Sequence, residues 1–496
     1  MVTLLSNFIY EFKWSGRLAQ ILFCLLFAYI SLVPYYYLQE QGLTEDVPQF
    51  SFAKYGPFAL VCFVAFFWTL EWSCKKRIWI RTSIDPFLVA SLIVSLCSLI
   101  GAEYARVGLA KWLYYHTTGG MLCLLLLQYC TSWKVIKTIA SVLCLVSGMV
   151  VLYAFVVSFL DSDPIWGATQ SVFNPYYTKH RATGPFGHTV ATASYTMLFF
   201  PLAIWYFLCL KNAKHKILWA LVCLLFLPVI LLTQTRGTQI ATVLCCLMMA
   251  PWLKGLGSIR VPTRRWAIGL AIACALLVFA IWKSGFPDLI DERLAMVGQR
   301  WQELQGSNPI TNKKENREYH YGSMLEYAER FRIVQYKEVA RHLVDQPFLG
   351  VGFGVYTRIF EKGKYEYTND EIWGINAHTT ENMYLLFLVE TGWIGLLVRL
   401  LLQGAVLLAI IRGYRRKVCG QQRNLLLAIL AGQSALMLNM LTWDILNEPT
   451  MRMAFWMLTG LALATVRCEQ SKAIEEQSDE PNKRSRLDGW RGMQDQ

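Results

Sequence analysis

Charged residues are scarce in this sequence. Only 16% of the 496 residues are Asp, Glu, Lys or Arg, whereas a soluble protein of this length carries about a quarter. Apolar residues make up 55% of the chain and gather in blocks of about twenty, the length that crosses a bilayer as a helix. The composition therefore excludes an ordinary soluble domain and predicts a polytopic membrane protein.

Cysteine is absent from the two segments that break the apolar pattern, 161–187 and 285–381, although the chain has 14 cysteines. All 14 are scattered along the rest of the chain without CxxC spacing. Neither a disulfide framework nor a zinc site is therefore predicted. The glycine-rich stretch GVGFG (350–354) lacks the lysine and the βαβ context of a nucleotide loop, and predicts a tight turn or a hinge. Apart from Asp161 and Asp163, the segments 161–187 and 285–381 hold no acidic motif that would bind a divalent cation. No cofactor is expected.

The apolar blocks predict an all-α membrane protein with about twelve transmembrane helices. The first is followed by further spans and lacks a cleavage site, so it is interpreted as an anchor. The block 382–411 is long enough to be tilted or to project beyond the lipid. The predicted spans are 18–38, 54–71, 85–103, 109–129, 136–160, 188–210, 217–233, 237–253, 266–284, 382–411, 424–443 and 451–466.

Lysine and arginine predict the orientation of these spans. Four short, strongly basic loops, at 74–81, 211–216, 254–265 and 412–423, alternate with long or nearly uncharged ones. The positive-inside rule places the basic loops and both termini in the cytoplasm, so the net charge of +13 is mainly a topology signal. No basic soluble region indicates nucleic-acid binding.

Four regions follow from this topology. Residues 1–284 hold nine spans and the outer loop 161–187, residues 285–381 form a large outer loop, and residues 382–467 hold three more spans. The charged tail 468–496 is predicted to be disordered.

The large outer loop contains a predicted amphipathic helix. Residues 323–344 place apolar side chains mostly along one stripe, and 345–347 ends the helix with a proline. We expect this helix to lie over the outer opening as a lid. It carries Arg330, Arg332 and Arg341, which add positive charge to the outer side.

Two further arginines stand on the outer side, against the positive-inside bias. Arg236 lies in the polar turn TQTRGT between two spans, and Arg181 precedes a Gly/Pro turn and a span that opens with small residues. Either arginine alone would be explained if its side chain extends to the lipid headgroups, or if the topology is irregular at that point. Together they indicate a phosphate or pyrophosphate site, because a guanidinium fork matches phosphate oxygens. The small residues 191–194 are typical of a close helix–helix contact.

A histidine and a glutamate introduce the tenth apolar block. His378 and Glu381 come about one helical turn apart if the helix begins near Thr379 or Thr380. Capping by one of these threonines and the helix dipole would explain Glu381, with His378 a plain loop residue. Alternatively, one of the two accepts a proton from an attacking hydroxyl as a general base.

The order of three motifs resembles the O-antigen ligase and O-antigen polymerase superfamily. They are TQTRGT, then ERFRIVQYKEVARHLVDQPFLGVGFGVY, then HTTENMYLLFLVETGWIGLL, within roughly 180–400. The family has a T-x-S-R-G turn, an R-x-x-x-W helix before a P-L-x-G-x-G turn, and H-N-x-Y-L before E-T-G. The resemblance implies a GT-C membrane glycosyltransferase of the bacterial inner membrane that uses undecaprenyl-pyrophosphate-linked glycans at the periplasmic face.

The resemblance also implies roles for individual residues. Arg181, Arg236 and Arg332 match arginines that bind the donor's pyrophosphate. Glu381, and not His378, falls on the family's histidine position, so either residue, or the pair, takes the role of base. The implied reaction is an inverting transfer in which arginines replace a metal ion.

The acceptor is left open by the sequence. Lipid A–core, a growing glycan and a protein hydroxyl would make the chain a ligase, a polymerase or a protein O-oligosaccharyltransferase. We favour the first two, because no additional soluble acceptor-binding domain is visible. A polysaccharide or lipid transporter would show repeated halves and charges near the membrane midplane, which the sequence lacks, and a scaffold role leaves the arginines unexplained.

Overall fold

The computed structural model describes residues 15–32, 52–75, 80–160, 182–186, 188–256, 336, 339–357, 359, 380–416 and 420–468. These residues form helices and turns, and no strand occurs among them. The predicted span 266–284, most of the outer loops and the tail from 469 onward lie outside the described residues. The all-helical prediction is therefore confirmed for the described part of the chain.

Twelve helices are numbered here along the described segments. They are α1 Ser15–Leu32, α2 Phe52–Lys75, α3 Asp85–Cys97, α4 Ala105–His116, α5 Leu122–Tyr129, α6 Trp133–Val157, α7 Thr189–Cys209, α8 Ala213–Leu232, α9 Arg236–Leu256, α10 Met383–Arg415, α11 Gly420–Asn439 and α12 449–468.

Four of these helices are long and apolar enough to cross a membrane by themselves, namely α6, α7, α8 and α10. Each predicted span outside 266–284 overlaps a described helix. Together these helices indicate a membrane protein, while the total of twelve spans stays a prediction.

Helix α7 lies at the centre of the bundle and packs against α6, α8, α9 and α11. Most of its side chains are buried, including Tyr195 and Trp205. A Cβ on Gly432 of α11 would lie 2.5 Å from the carbonyl oxygen of Leu198, so the two backbones touch there. The small residues 191–194 are also buried, which confirms the expected close helix packing.

Helix α10 is broken at Gly392, which has φ 65° and ψ −171°. The sequence predicts one long span that is tilted or projects beyond the lipid. Instead, a short helix up to Thr391 precedes a second one of about twenty residues, enough to cross a bilayer. Without a side chain, Gly392 adopts the left-handed φ at no steric cost. A Cβ there would also strike the backbone of Phe348.

A π-helical turn, Thr117–Met121, separates α4 from α5 within the predicted span 109–129. It places Gly119 directly against the indole of Trp456 on α12. Such π turns occur frequently at functional sites.

The ends of the bundle differ in character. At one end, Trp205 Nε1 donates to the Gln421 carbonyl at 2.9 Å, and Lys137 Nζ donates to Gln421 Oε1 at 3.2 Å. The basic loops 211–216 and 412–423 share this end. At the opposite end, called the site end below, α7, α9, α10 and α12 begin.

Candidate functional site

The turn between α8 and α9 presents Arg236 at the site end. Gln234 has a left-handed φ of 55°, and the buried Thr233 hydroxyl contacts Thr235 Oγ1 at 2.9 Å. Arg236 is the first residue of α9, and it is exposed. A cation at a helix N-terminus is unfavourable for the helix dipole. Helix stability therefore does not explain Arg236, whereas an anion bound there would.

Asn439, at the end of α11, fixes this turn to its neighbours. Its side chain donates to Ser194 Oγ of α7 at 2.7 Å and accepts from Thr238 Oγ1 of α9 at 3.3 Å. Just beyond, a Cβ on Gly237 would collide with Thr442. The turn after α11 therefore lies directly against the residue that follows Arg236.

The segment that follows Arg181 reaches the same place. Arg181 itself lies outside the described residues, but the backbone N–H of Ala182 donates to the carbonyl of Leu232 at 3.2 Å. Leu232 ends α8 four positions before Arg236. Ala182 is fully buried, so this neighbour of Arg181 is held firmly beside the Arg236 turn.

Glu381 precedes α10 in a strained turn. Its φ is 47°, and Gln234 is the other non-glycine residue with positive φ in the described part of the chain. A glutamate in this region carries a backbone cost of order 1–3 kcal/mol. The backbone N–H of Met383 donates to the carbonyl of Met440 at 2.9 Å. This bond places Glu381 at the site end, beside the turn that also contacts Gly237.

The expected threonine cap is wrong. Helix α10 begins at Met383, and Asn382 is its N-cap, accepting from the backbone N–H of Tyr384 at 3.0 Å and of Leu385 at 3.2 Å. Thr380 is buried and donates to the Asn382 carbonyl at 2.6 Å. Asparagine is a stronger cap than threonine, and it takes the capping position that was expected for a threonine.

His378 and Arg332 lie outside the described residues, so their assignments stay predictions. Of the predicted loop helix, residues 339–345 are helical and Asp345 ends it, as its sequence predicts. His342 meets the Tyr356 ring edge-on at 6.4 Å between centroids. The end of the loop helix is therefore held by the glycine-rich turn.

That glycine-rich turn docks onto the break in α10. Val351 N–H donates to the Val389 carbonyl at 2.9 Å, and Gly352 N–H donates to the Glu390 carbonyl at 3.0 Å. The buried Glu390 carboxylate accepts from the backbone N–H groups of Gly354 and Tyr356. The glycine-rich turn, called the clasp below, thus packs against α10 and holds the loop there. This confirms its interpretation as a tight turn.

Residues 221–400 match the family model described as O-antigen ligase. The matched segment contains the Arg236 turn, the glycine-rich clasp, Glu381 and the break in α10. This segment is similar to the O-antigen ligase family. The resemblance drawn from the sequence is confirmed, and the match indicates a bacterial membrane protein of the glycosyltransferase-like ligase or polymerase type. No curated protein matches the chain.

Outside the matched segment, the turn from α11 to α12 holds two acidic residues that sequence reasoning missed. Asp444 is buried and Glu448 is partly buried. Burial, together with the charge of Asp444, raises the pKa of Glu448 to about 7, while Arg452 opposes this shift. Next to Asp444, Trp443 stacks on His188 at 4.9 Å. The EPT sequence at 448–450 resembles an ordinary helix start, so the sequence offered no signal.

Two buried arginines, Arg399 and Arg452, were also missed. They interrupt the apolar runs of α10 and α12, and that interruption was the available signal. Within the described part of the chain, no group of three His, Cys, Asp or Glu side chains is arranged as metal ligands would be.

Proposed function

We propose that this chain transfers a glycan from undecaprenyl pyrophosphate to an acceptor hydroxyl at the periplasmic face of the inner membrane. The acceptor is lipid A–core for a ligase, or a growing O-antigen or exopolysaccharide for a polymerase. The observation that carries the proposal is the meeting of the Arg236 turn, the segment after Arg181 and the Glu381 turn at one end of the bundle. That end lies opposite the basic loops.

The arginines would bind the donor and stabilise its leaving group. Arg236 is exposed at the start of α9, where the helix dipole adds to its positive potential. Arg181 and Arg332 are proposed to join it, so that three guanidinium groups would surround the pyrophosphate. As the glycosidic C–O bond breaks, negative charge grows on the pyrophosphate, and preorganised cations stabilise that charge most.

Glu381 or His378 would supply the base. The acceptor hydroxyl gives its proton to this base while its oxygen attacks the anomeric carbon, and the bond from that carbon to the pyrophosphate oxygen breaks. Attack opposite the leaving group inverts the anomeric configuration. The strained φ of Glu381 supports its role, because strain of this kind collects at functional sites.

The deciding experiment reconstitutes the protein with an undecaprenyl-pyrophosphate glycan and separate acceptors: lipid A–core, free glycan and a hydroxyl-bearing protein. Arg236→Ala is compared with Lys214→Ala, which removes an exposed cation from the first turn of α8 at the opposite end. We expect Arg236→Ala to lower transfer at least tenfold, and Lys214→Ala to leave it unchanged.

The outcome also separates the competing functions. Product on lipid A–core identifies a ligase, longer glycan a polymerase, and modified protein an O-oligosaccharyltransferase. Movement of lipid-linked glycan across the vesicle membrane without transfer to any acceptor would instead identify a transporter and overturn the proposal.

A further inference from the structure

A second cluster of positive charge is buried between α3, α4, α10 and α12. Its centre is Tyr115. The guanidinium carbon of Arg399 lies 5.6 Å from the centroid of this ring, and that of Arg452 lies 4.5 Å from it. Arg399 is 5% exposed and Arg452 is 2% exposed. Two guanidinium groups therefore share one aromatic ring, away from water.

Hydrogen bonding leaves part of each guanidinium without a partner. Arg399 Nη2 donates to the Tyr115 hydroxyl at 2.6 Å, and Arg452 Nε donates to Thr118 Oγ1 at 3.2 Å. Among the described residues, Arg399 Nε and Arg452 Nη2 have no acceptor. Burying a charged donor without a partner is costly.

Trp456 adds a third such donor. Its indole Nε1 is buried without a hydrogen-bond acceptor in the described part of the chain, and its ring lies 5.8 Å from the guanidinium carbon of Arg399. Trp456 follows Arg452 by four positions, so both share one face of α12. The π turn presses Gly119 against the same indole. Trp456 Nε1 is therefore a third buried N–H donor without a described acceptor, on a side chain close to Arg399.

The two arginines differ in their counter-charges. Arg452 acts on Glu448 by charge, with Asp444 close by, so acids already neutralise part of its charge. The described contacts of Arg399 are the Tyr115 hydroxyl and three aromatic rings, with no carboxylate among them. Arg399 is therefore the residue that most needs an anion.

A small cavity lies beside Arg399. Its volume is about 20 Å³, and its lining includes Ser95, Tyr115, His116 and Thr391 as well as Arg399. About 10–15 Å³ of such space holds one water molecule, so the cavity has room for a single small occupant, a water molecule or a monatomic anion. A phosphate or a sugar does not fit.

We propose that this cavity binds a chloride ion, held by Arg399, the buried guanidinium in its lining. The anion neutralises the one buried guanidinium that its described neighbours leave without an acid. It joins α3, α4 and α10, which contribute lining residues. This inference is independent of the glycan donor and acceptor, since its test uses no glycan.

The test measures thermal unfolding of the purified full-length protein in detergent, in sodium chloride, sodium bromide and sodium gluconate at equal ionic strength. Chloride and bromide should raise Tm in a saturable way, as expected for a ligand of the folded state, and gluconate should not. Equal curves in chloride and gluconate would overturn the proposal, and leave a water molecule as the occupant.

Two variants locate the effect. Arg399→Gln should abolish the chloride-specific rise in Tm, and Arg399→Lys, which keeps the positive charge but removes guanidinium N–H donors, should weaken apparent chloride affinity about tenfold. Arg423→Gln is the matched control, since Arg423 also packs on a tyrosine but is exposed, and it should keep the full rise.

A direct view of the ion completes the test. If Arg399→Gln fails to fold, Arg399→Lys and the anomalous signal of bromide in crystals of the wild-type protein decide the question. A bromide peak beside Arg399 supports the site. Its absence, or an unchanged chloride response in Arg399→Lys, overturns it.

Discussion

The backbone N–H of Ala182 donates a hydrogen bond to the carbonyl of Leu232 at 3.2 Å, across fifty positions of sequence. This bond holds the residue after Arg181 next to the turn that ends in Arg236. Ala182 and the Arg236 turn, which the sequence separates widely, are thereby held together. If Arg181 and Arg236 both bind one pyrophosphate, their contributions to donor binding are coupled.

A double-mutant cycle measures this coupling. Arg181→Ala and Arg236→Ala should each lower kcat/KM for the donor about tenfold to a hundredfold, the effect of one hydrogen bond to a charged group. The double variant should lose less than the product of the two, because groups that share one ligand are not additive. Combining Arg236→Ala with Lys214→Ala serves as the additive reference. Strict additivity for the arginine pair would contradict a shared pyrophosphate.

Variants of Glu381 separate chemistry from backbone strain. Glu381→Gly relieves the left-handed φ and should raise Tm, while Glu381→Gln keeps the shape and removes the carboxylate. If Glu381 is the base, both variants lose transfer by about 10²–10⁴, and the acidic limb of the pH–rate profile disappears. Full transfer activity in Glu381→Gly would show that Glu381 serves only the turn. A greater loss of transfer in His378→Ala than in the Glu381 variants would identify His378 as the base.

Gly392 should tolerate no side chain. Gly392→Ala places a Cβ against the backbone of Phe348 at a left-handed φ, so we expect a loss of about 3 kcal/mol or more. Tm should fall by about 3 °C or more. The control is Gly404→Ala in the same helix, where a Cβ meets nothing within 4 Å and the helix should gain up to about 1 kcal/mol. Similar Tm values for the two variants would show that the loop does not pack on the break.

Glu448 predicts a pH dependence of stability. Its pKa in the folded protein is about 7, raised above the ordinary 4.5 chiefly by burial. The protonated carboxyl is therefore favoured by folding, and this contribution is complete below the ordinary pKa and is lost as pH rises through 7. Tm of the wild-type protein should fall between pH 5 and 8, with that fall reduced in Glu448→Gln. Parallel curves would assign the titration to another group.

Much of the architecture could be predicted from the sequence, because apolar blocks and helix-ending signals are local. The helix of 339–345 ends at Asp345, and the glycine-rich turn is as tight as its glycines indicate. The break at Gly392 could not be predicted, since a lone glycine in an apolar run does not reveal that Phe348 packs against it. Nor could the cap at Asn382, because Thr379, Thr380 and Asn382 are all residues that cap helices, and they stand in one polar run.

The sequence by itself determined that the described part of the chain is helical and apolar, and that the segment holding the Arg236 turn and the Glu381 turn is similar to O-antigen ligases. Hydrophobic periodicity and the order of the motifs carry this information, because both depend on residues that are close together in the sequence. Only the tertiary structure decided that Ala182, Gly237 and Met383 meet at one end, and that Arg399 and Arg452 share one buried ring. Such contacts join distant segments, and they depend on how helices pack when their apolar and small residues come together.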